Sequence, residues 1–264
     1  MLYFLMTVDV ESFSIPLNRL DVNTAKEVYE IGLPRLLELL AKYDIKGTFY
    51  FTGEITEILP ESIELVMSYG HEIGCHGYNH SPETAFDVLE YEKQVKELKR
   101  AKDVIEEVAN RIESFRAPML RINEDTVRAL GEVGFKSDSS ICPQRFDFLF
   151  TFGSKKKLKW LFAPRSPYFL SYKSIIKQGE SGILEVPISA FILPYIGTTA
   201  RIFPNFIKLI EKFIFAEAKT RGIPVVFLFH PNECLDFNGN VAVSYTHLRA
   251  HETEADLVCR LLLE

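Results

Sequence analysis

The sequence lacks the marks of several large protein classes. Four cysteines stand in 264 residues with no short paired spacing, which excludes a disulfide framework and a zinc knuckle. No apolar run approaches the roughly 18 residues that a membrane-spanning helix needs. Positive charge is not in excess. Against 30 lysines and arginines stand 36 aspartates and glutamates, a net charge of −6, so nothing points to nucleic acid or to a basic membrane-docking protein. The opening Met1-Leu-Tyr-Phe-Leu-Met-Thr-Val8 has no basic region and runs straight into Asp9. It reads as a buried strand and not as a signal peptide, which makes a cytoplasmic location the default expectation. Repeats and linker-like stretches are missing too, so a single domain is expected.

What is present suits an ordered globular chain. Hydrophobic residues make up 47% and charged residues 25%, enough to bury a large core and too balanced for wholesale disorder. About 250 residues is also a typical size for one α/β barrel. The segment from Val243 onward, with Tyr245-Thr-His-Leu-Arg-Ala-His-Glu252, resembles a translated sequencing adapter. It is read as a non-native tail over 243–264, so the domain is taken as 1–242 and the natural chain is expected to continue past it. His247 and His251, which imitate a metal pair, are set aside with it.

Hydropathy alternates between two periods. Strands are expected over 2–8, 46–51, 71–76, 112–116, 135–138, 184–187 and 225–229. Helices are expected over 24–43, with a kink or break at Gly32 and Pro34, and over 60–69, 88–110, 123–133 and 203–221. Residues 141–182 read as irregular, with Phe146, Phe148, Phe150 and Phe152 alternating before the basic Lys155-Lys-Lys157. Strands that alternate with helices imply a parallel sheet. Asp9, Glu11, His76, His80, Arg116, Asp138 and His230 all fall at or just past C-terminal strand ends, the face on which an α/β barrel builds its active site.

Each of these residues has a chemical reading and a plain one. His76-Gly-Tyr-Asn-His80 can bring two imidazoles to one metal if i and i+4 share a helical turn, or be two surface histidines. Asp9 and Glu11, two apart on an extended segment, point the same way, though Glu11 could equally be a cap. Arg116 could fix Asp9 through a bidentate contact or form a structural ion pair. His230 could protonate a leaving amine or be a core histidine, and Asp138 could orient its ring or cap a loop.

Taken together, Thr7-Val-Asp-Val-Glu11, Lys46-Gly-Thr-Phe-Tyr-Phe51, His71 to His80, Phe115-Arg-Ala-Pro118, Ser137-Asp-Ser-Ser140 and Phe229-His-Pro231 resemble, in order, the motifs of polysaccharide deacetylases. This is the NodB-homology group, carbohydrate esterase family 4, and the nearest subgroup has a D-V-E first motif and an F-R-A-P third motif. Leu184-Glu-Val-Pro187 also matches that subgroup. The resemblance spans residues 1–235. It implies a distorted (β/α)7 TIM-like barrel that removes acetyl groups from N-acetylated sugars with a divalent metal, usually zinc.

Carried over by position, Asp9 is the base, Arg116 its orienting partner and His230 the general acid; Asp138 is kept as the residue that orients that imidazole. Glu11, His76 and His80 are the metal ligands, and Tyr78 and Pro118 lie on the substrate side. The chain departs from the common pattern at Val10, where the family usually has a second aspartate. The carboxylate ligand is therefore assigned to Glu11. The family also includes metal-free allantoinase-type members, so a metal-independent amidohydrolase stays open. So do a non-catalytic carbohydrate-binding barrel and a deacetylase acting on a lipid-linked precursor, the last suggested by the Lys155–Lys159 run and implying peripheral membrane association. The expected partner is an N-acetylated saccharide; oligomeric state is not legible.

Overall fold

The computed structural model describes residues 2–11, 13–14, 19–143 and 155–235, with side chains over 2–11, 20–143 and 159–235. Phe146 to Phe152, the side chains of Lys155 to Lys157 and the tail with His247 and His251 lie outside the described residues.

Nine strands share one sheet: β1 (Phe4–Val10), β2 (Gly47–Phe51), β3 (Glu72–Cys75), β4 (Ser114–Phe115), β5 (Ser137–Asp138), β6 (Tyr168–Ser171), β7 (Ser174–Gln178), β8 (Leu184–Glu185) and β9 (Val225–Phe229). Their spatial order is β9-β1-β2-β3-β4-β5-β8-β6-β7. The first seven in that order run parallel, and β6–β7 is an antiparallel hairpin on the far edge. The helices are α1 (Val22–Glu27), α2 (Leu33–Lys42), α3 (Gly53–Ile58), α4 (Glu61–Ser68), α5 (Tyr91–Ala109), α6 (Glu124–Val133), α7 (Gly197–Ile202) and α8 (Pro204–Arg221). Seven parallel strands with helices between them give the distorted (β/α)7 TIM-like barrel.

The sheet must curve steeply. Arg116 follows β4, three ladders from β1, a separation of about 14 Å in a flat sheet. Its guanidinium nonetheless touches Thr7 and Asp9 on β1. Alternation along β1 sends Met6, Val8 and Val10 into the apolar core and Thr7, Asp9 and Glu11 to the opposite face, where all three are buried. The gap between β8 and β9 is bridged by an irregular segment. Ser189 N–H donates to the Val226 carbonyl at 3.0 Å, and Leu228 N–H to the Tyr195 carbonyl at 3.4 Å.

The kink expected at Gly32 is a single π-helical turn, Val28–Gly32, between α1 and α2. Pro34 has no N–H to donate, so the regular ladder is interrupted there. A Cβ on Gly32 would come within 2.4 Å of the Pro231 carbonyl, so the glycine lets this helix lie against the loop that carries His230. Further elements fall in segments with no predicted structure. Residues 168–178 form the β6–β7 hairpin and not an irregular stretch; its Tyr172-Lys173 turn has none of the glycine or asparagine that signals a hairpin. Helices α3 and α7 are six residues each, too short to establish a period.

Candidate active site

The C-terminal ends of the parallel strands hold a buried cluster. Glu11 lies one residue past β1, and its Oε2 receives two imidazoles: His76 Nε2 at 2.9 Å and His80 Nε2 at 3.1 Å. The ligand atoms of Glu11, His76 and His80 lie within 4.8 Å of one another. His76 and His80 do not sit on a helical turn, as their spacing suggests. They lie in a loop after β3 that reverses at Gly77, φ 71°. Pro118 packs against Gly77, 3.1 Å from where a Cβ would stand, and α3 donates from Gly53 and Glu54 N–H to the carbonyls of Gly77 and Tyr78 at 3.0 and 2.9 Å. The loop is thus held from two sides.

The donor set fits a divalent cation. His76 Nδ1 faces the Arg116 carbonyl at 2.9 Å, so the proton belongs on Nδ1 and the Nε2 lone pair is aimed into the cluster. With protein atoms alone, two imidazole nitrogens converge on one carboxylate oxygen, and each contact needs a ring proton. Burial disfavours the cationic form of His76, but Asp9 and then Glu11 outweigh it and raise its pKa. Burial lowers the pKa of His80, with Glu11 opposing. Burial would raise the Glu11 carboxyl, but the imidazoles around it, His80 foremost, bring it down to about 2. Two neutral imidazoles and an ionised carboxylate are what a catalytic divalent site requires, and such a set leaves a coordination position open.

Asp9 lies on the inner flank. Arg116 Nη1 donates to its Oδ1 at 2.8 Å, and its Oδ2 is 3.8 Å from His76 Nε2. The guanidinium is fully buried and pinned elsewhere by Thr7 Oγ1 (2.9 Å), the Ser139 carbonyl (2.9 Å) and Ser139 Oγ (2.8 Å), with the Tyr50 ring 4.5 Å away. Gly74 leaves room for that ring; a Cβ there would be 2.6 Å from it.

His230, one residue past β9, closes the outer side with Nε2 3.6 Å from Glu11 Oε1. The carboxylate beside its other nitrogen is Glu233, with Oε2 3.8 Å from Nδ1. Glu233 is itself fixed: Oε2 accepts the His230 N–H at 3.2 Å, and Oε1 accepts Thr198 Oγ1 at 2.7 Å. Burial opposes charge on His230, but the nearby Glu233 carboxylate, followed by Glu11 and Asp9, lifts its pKa to about 9.

Asp138, expected beside His230, lies elsewhere. It accepts the Ser140 hydroxyl and stands opposite Glu185, its register partner on β8. The Tyr78 side chain, assigned to the substrate side, is directed into the helix layer, with its hydroxyl on Glu57 at 2.8 Å and Arg100 3.4 Å from its ring. Glu233 was not picked out from the sequence, although His230-Pro-Asn-Glu233 has capping-box spacing, which returns the fourth side chain to the first N–H.

Peptidoglycan deacetylase of Helicobacter pylori is 24% identical over 173 residues, covering 65% of this chain and 57% of that protein. The chain spans between 33% and 57% of the length of the first curated relatives it matches. A probable polysaccharide deacetylase from Pseudomonas aeruginosa PAO1 has the same fold, with a TM-score of 0.63 at 14% identity over 99% of this chain and 84% of that one. An allantoinase matches with the same TM-score, 0.63, at 14% identity over 99% and 83%, so the fold alone does not choose between these chemistries. Residues 24–137, which include His76, His80 and Arg116, match the family model described as polysaccharide deacetylase.

Proposed function

We propose that the protein is a metal-dependent hydrolase that removes N-acetyl groups from N-acetylated amino sugars of an oligo- or polysaccharide. The observation that carries this reading is the Glu11–His76–His80 cluster, flanked by an arginine-fixed carboxylate, Asp9, and by a cationic imidazole, His230. The match of residues 24–137 to the polysaccharide deacetylase model supports the amide-hydrolysing chemistry.

Glu11, His76 and His80 would hold the divalent ion, zinc in this reading. When bound, such an ion supplies Lewis acidity at the acetamide carbonyl and acidifies water. Asp9, oriented by Arg116, takes a proton from the attacking water as the new C–O bond forms. A backbone N–H near the Tyr78 loop would offset charge on the carbonyl oxygen. His230 donates its proton to the sugar nitrogen as the C–N bond breaks. The products are a free amine and acetate. Glu233 keeps His230 charged and oriented, the part that the sequence assigns to Asp138.

The test is acetate release from N-acetylglucosamine oligomers, with zinc content measured after exhaustive dialysis. About one zinc per chain is expected, with activity lost to a chelator and regained on adding zinc. Asp9→Asn and His230→Ala should each lower the rate on the order of 10²–10⁴-fold. Chelator-insensitive hydrolysis of a small ureide, with no acetate released from sugars, would transfer the site to allantoinase-type chemistry.

A further inference from the structure

One outer face of the barrel is both apolar and cationic. Along α8, Phe206, Leu209 and Phe213 follow a helical i, i+3, i+7 spacing and are all exposed, Leu209 to 48% and Phe213 to 49%. The Ala190–Pro194 hairpin extends the patch. Phe191 stacks on Phe213 with centroids 4.7 Å apart, and Ile192 stands at the tip, 43% exposed. Ile192 has φ 67°, a conformation that costs a β-branched residue energy and persists only where its surroundings impose it. Singly exposed apolar residues need no explanation, but a contiguous set of this kind marks an interaction surface.

One flank of this stripe is lined by exposed lysines. Lys208, Lys212 and Lys219 lie on its flank and are in no ion pair among the described residues. The acidic residues of α8 are engaged elsewhere: Glu211 accepts the Tyr195 hydroxyl, and Glu217 pairs with Arg165 and Arg221. A chain of net charge −6 therefore carries a local face of aromatic and aliphatic side chains edged by three lysines.

We propose that this face is a docking surface for an anionic lipid membrane. An amphipathic helix with aromatic residues and leucine on one side and lysine beside them lies in the interfacial plane, its apolar stripe in the headgroup boundary and its cations on anionic headgroups. A second copy of the chain fits less well, because a two-fold contact through this face would set lysine against lysine. The proposal is independent of the reaction assigned to the site.

The test is flotation of the full chain with vesicles of phosphatidylcholine alone or with about 30% phosphatidylglycerol, beside a measurement of oligomeric state by light scattering. Binding is expected to the anionic vesicles and not to the neutral ones, and to weaken as salt rises. Lys208→Gln and Lys212→Gln should each lower the partition coefficient about fivefold. Phe213→Ser, whose side chain is half exposed, should lower it further. Unchanged circular dichroism and melting would show that these surface variants fold. No binding to either vesicle, binding indifferent to lipid charge and to all three variants, or a monomer–dimer equilibrium that Phe213→Ser abolishes would each overturn the proposal.

Discussion

Arg116 Nη1 stands 2.8 Å from Asp9 Oδ1, although Arg116 follows β4, three ladders from the β1 strand of Asp9. This contact ties the curvature of the sheet to the chemistry of the site. The curve brings the guanidinium to β1, and the guanidinium neutralises a carboxylate that would otherwise be buried without a counter-charge. A buried pair of this kind adds little net stability over an apolar replacement, but breaking it is costly, because one charge is left desolvated.

The first prediction follows. Arg116→Met should destabilise the fold by about 3–5 kcal/mol in urea denaturation, and Asp9→Asn in the same background should recover part of that loss. Arg116→Lys keeps the charge but cannot reach Thr7, Asp9 and both Ser139 oxygens together, so activity should stay low. A loss below about 1 kcal/mol in Arg116→Met would show that the pair is not carrying the buried charge.

The second concerns the acid. His230 is cationic in the folded protein up to about pH 9, chiefly through Glu233. A general acid must be protonated to work, so turnover should fall as pH rises through its pKa. Glu233→Gln removes the charge but keeps an acceptor for the His230 N–H. The alkaline limb of the kcat profile should move to lower pH, with a several-fold loss at pH 8, while the acid limb stays in place. An unmoved alkaline limb would show that Glu233 does not set the protonation of His230.

Much of this site is legible in the sequence, because its polar residues interrupt apolar strands at their ends. Asp9 in Val8-Asp-Val10 and His230 after Val225 to Phe229 interrupt apolar runs, and period-2 alternation puts Asp9 and Glu11 on one face. What stays hidden depends on loop paths and on lateral neighbours. No spacing rule shows that a loop with one positive-φ glycine aims His76 and His80 at the same carboxylate oxygen. The sequence offers Asp138 to His230 only because both stand at C-terminal strand ends. In the structure its strand lies beside β8, so Glu185 meets it first, while the loop that carries His230 supplies its own carboxylate.

The third prediction tests the ligand set by stability. A ligand that binds the folded state stabilises it by RT ln(1 + [L]/Kd), about 2.7 kcal/mol at a hundredfold excess over Kd. Zinc added to the dialysed protein should raise its melting temperature, and Glu11→Ala or His80→Ala should remove most of the rise. Equal rises in wild type and both variants would place the ion elsewhere.

The fourth rests on the Asp138–Glu185 pair. Both carboxyls are fully buried, and adjacent register positions on β5 and β8 hold them together. Burial lifts Asp138 to about 6, and burial followed by Asp138 lifts Glu185 well above the usual range. The folded state therefore retains protons that the unfolded chain releases at lower pH. Their contribution is complete below about pH 4, the unfolded range for carboxyls, and is lost as pH rises through 6 and beyond. Glu185→Gln removes one buried charge, retains an acceptor for the Ile141 N–H, which Glu185 now meets at 3.0 Å, and can donate to Asp138. At pH 8 the variant should melt higher than wild type, by ~2–4 °C for each kcal/mol recovered. The two should converge near pH 4, where the wild-type pair is protonated. Melting curves across this range decide the matter, and a variant less stable than wild type at pH 8 would show that the pair is not repulsive there.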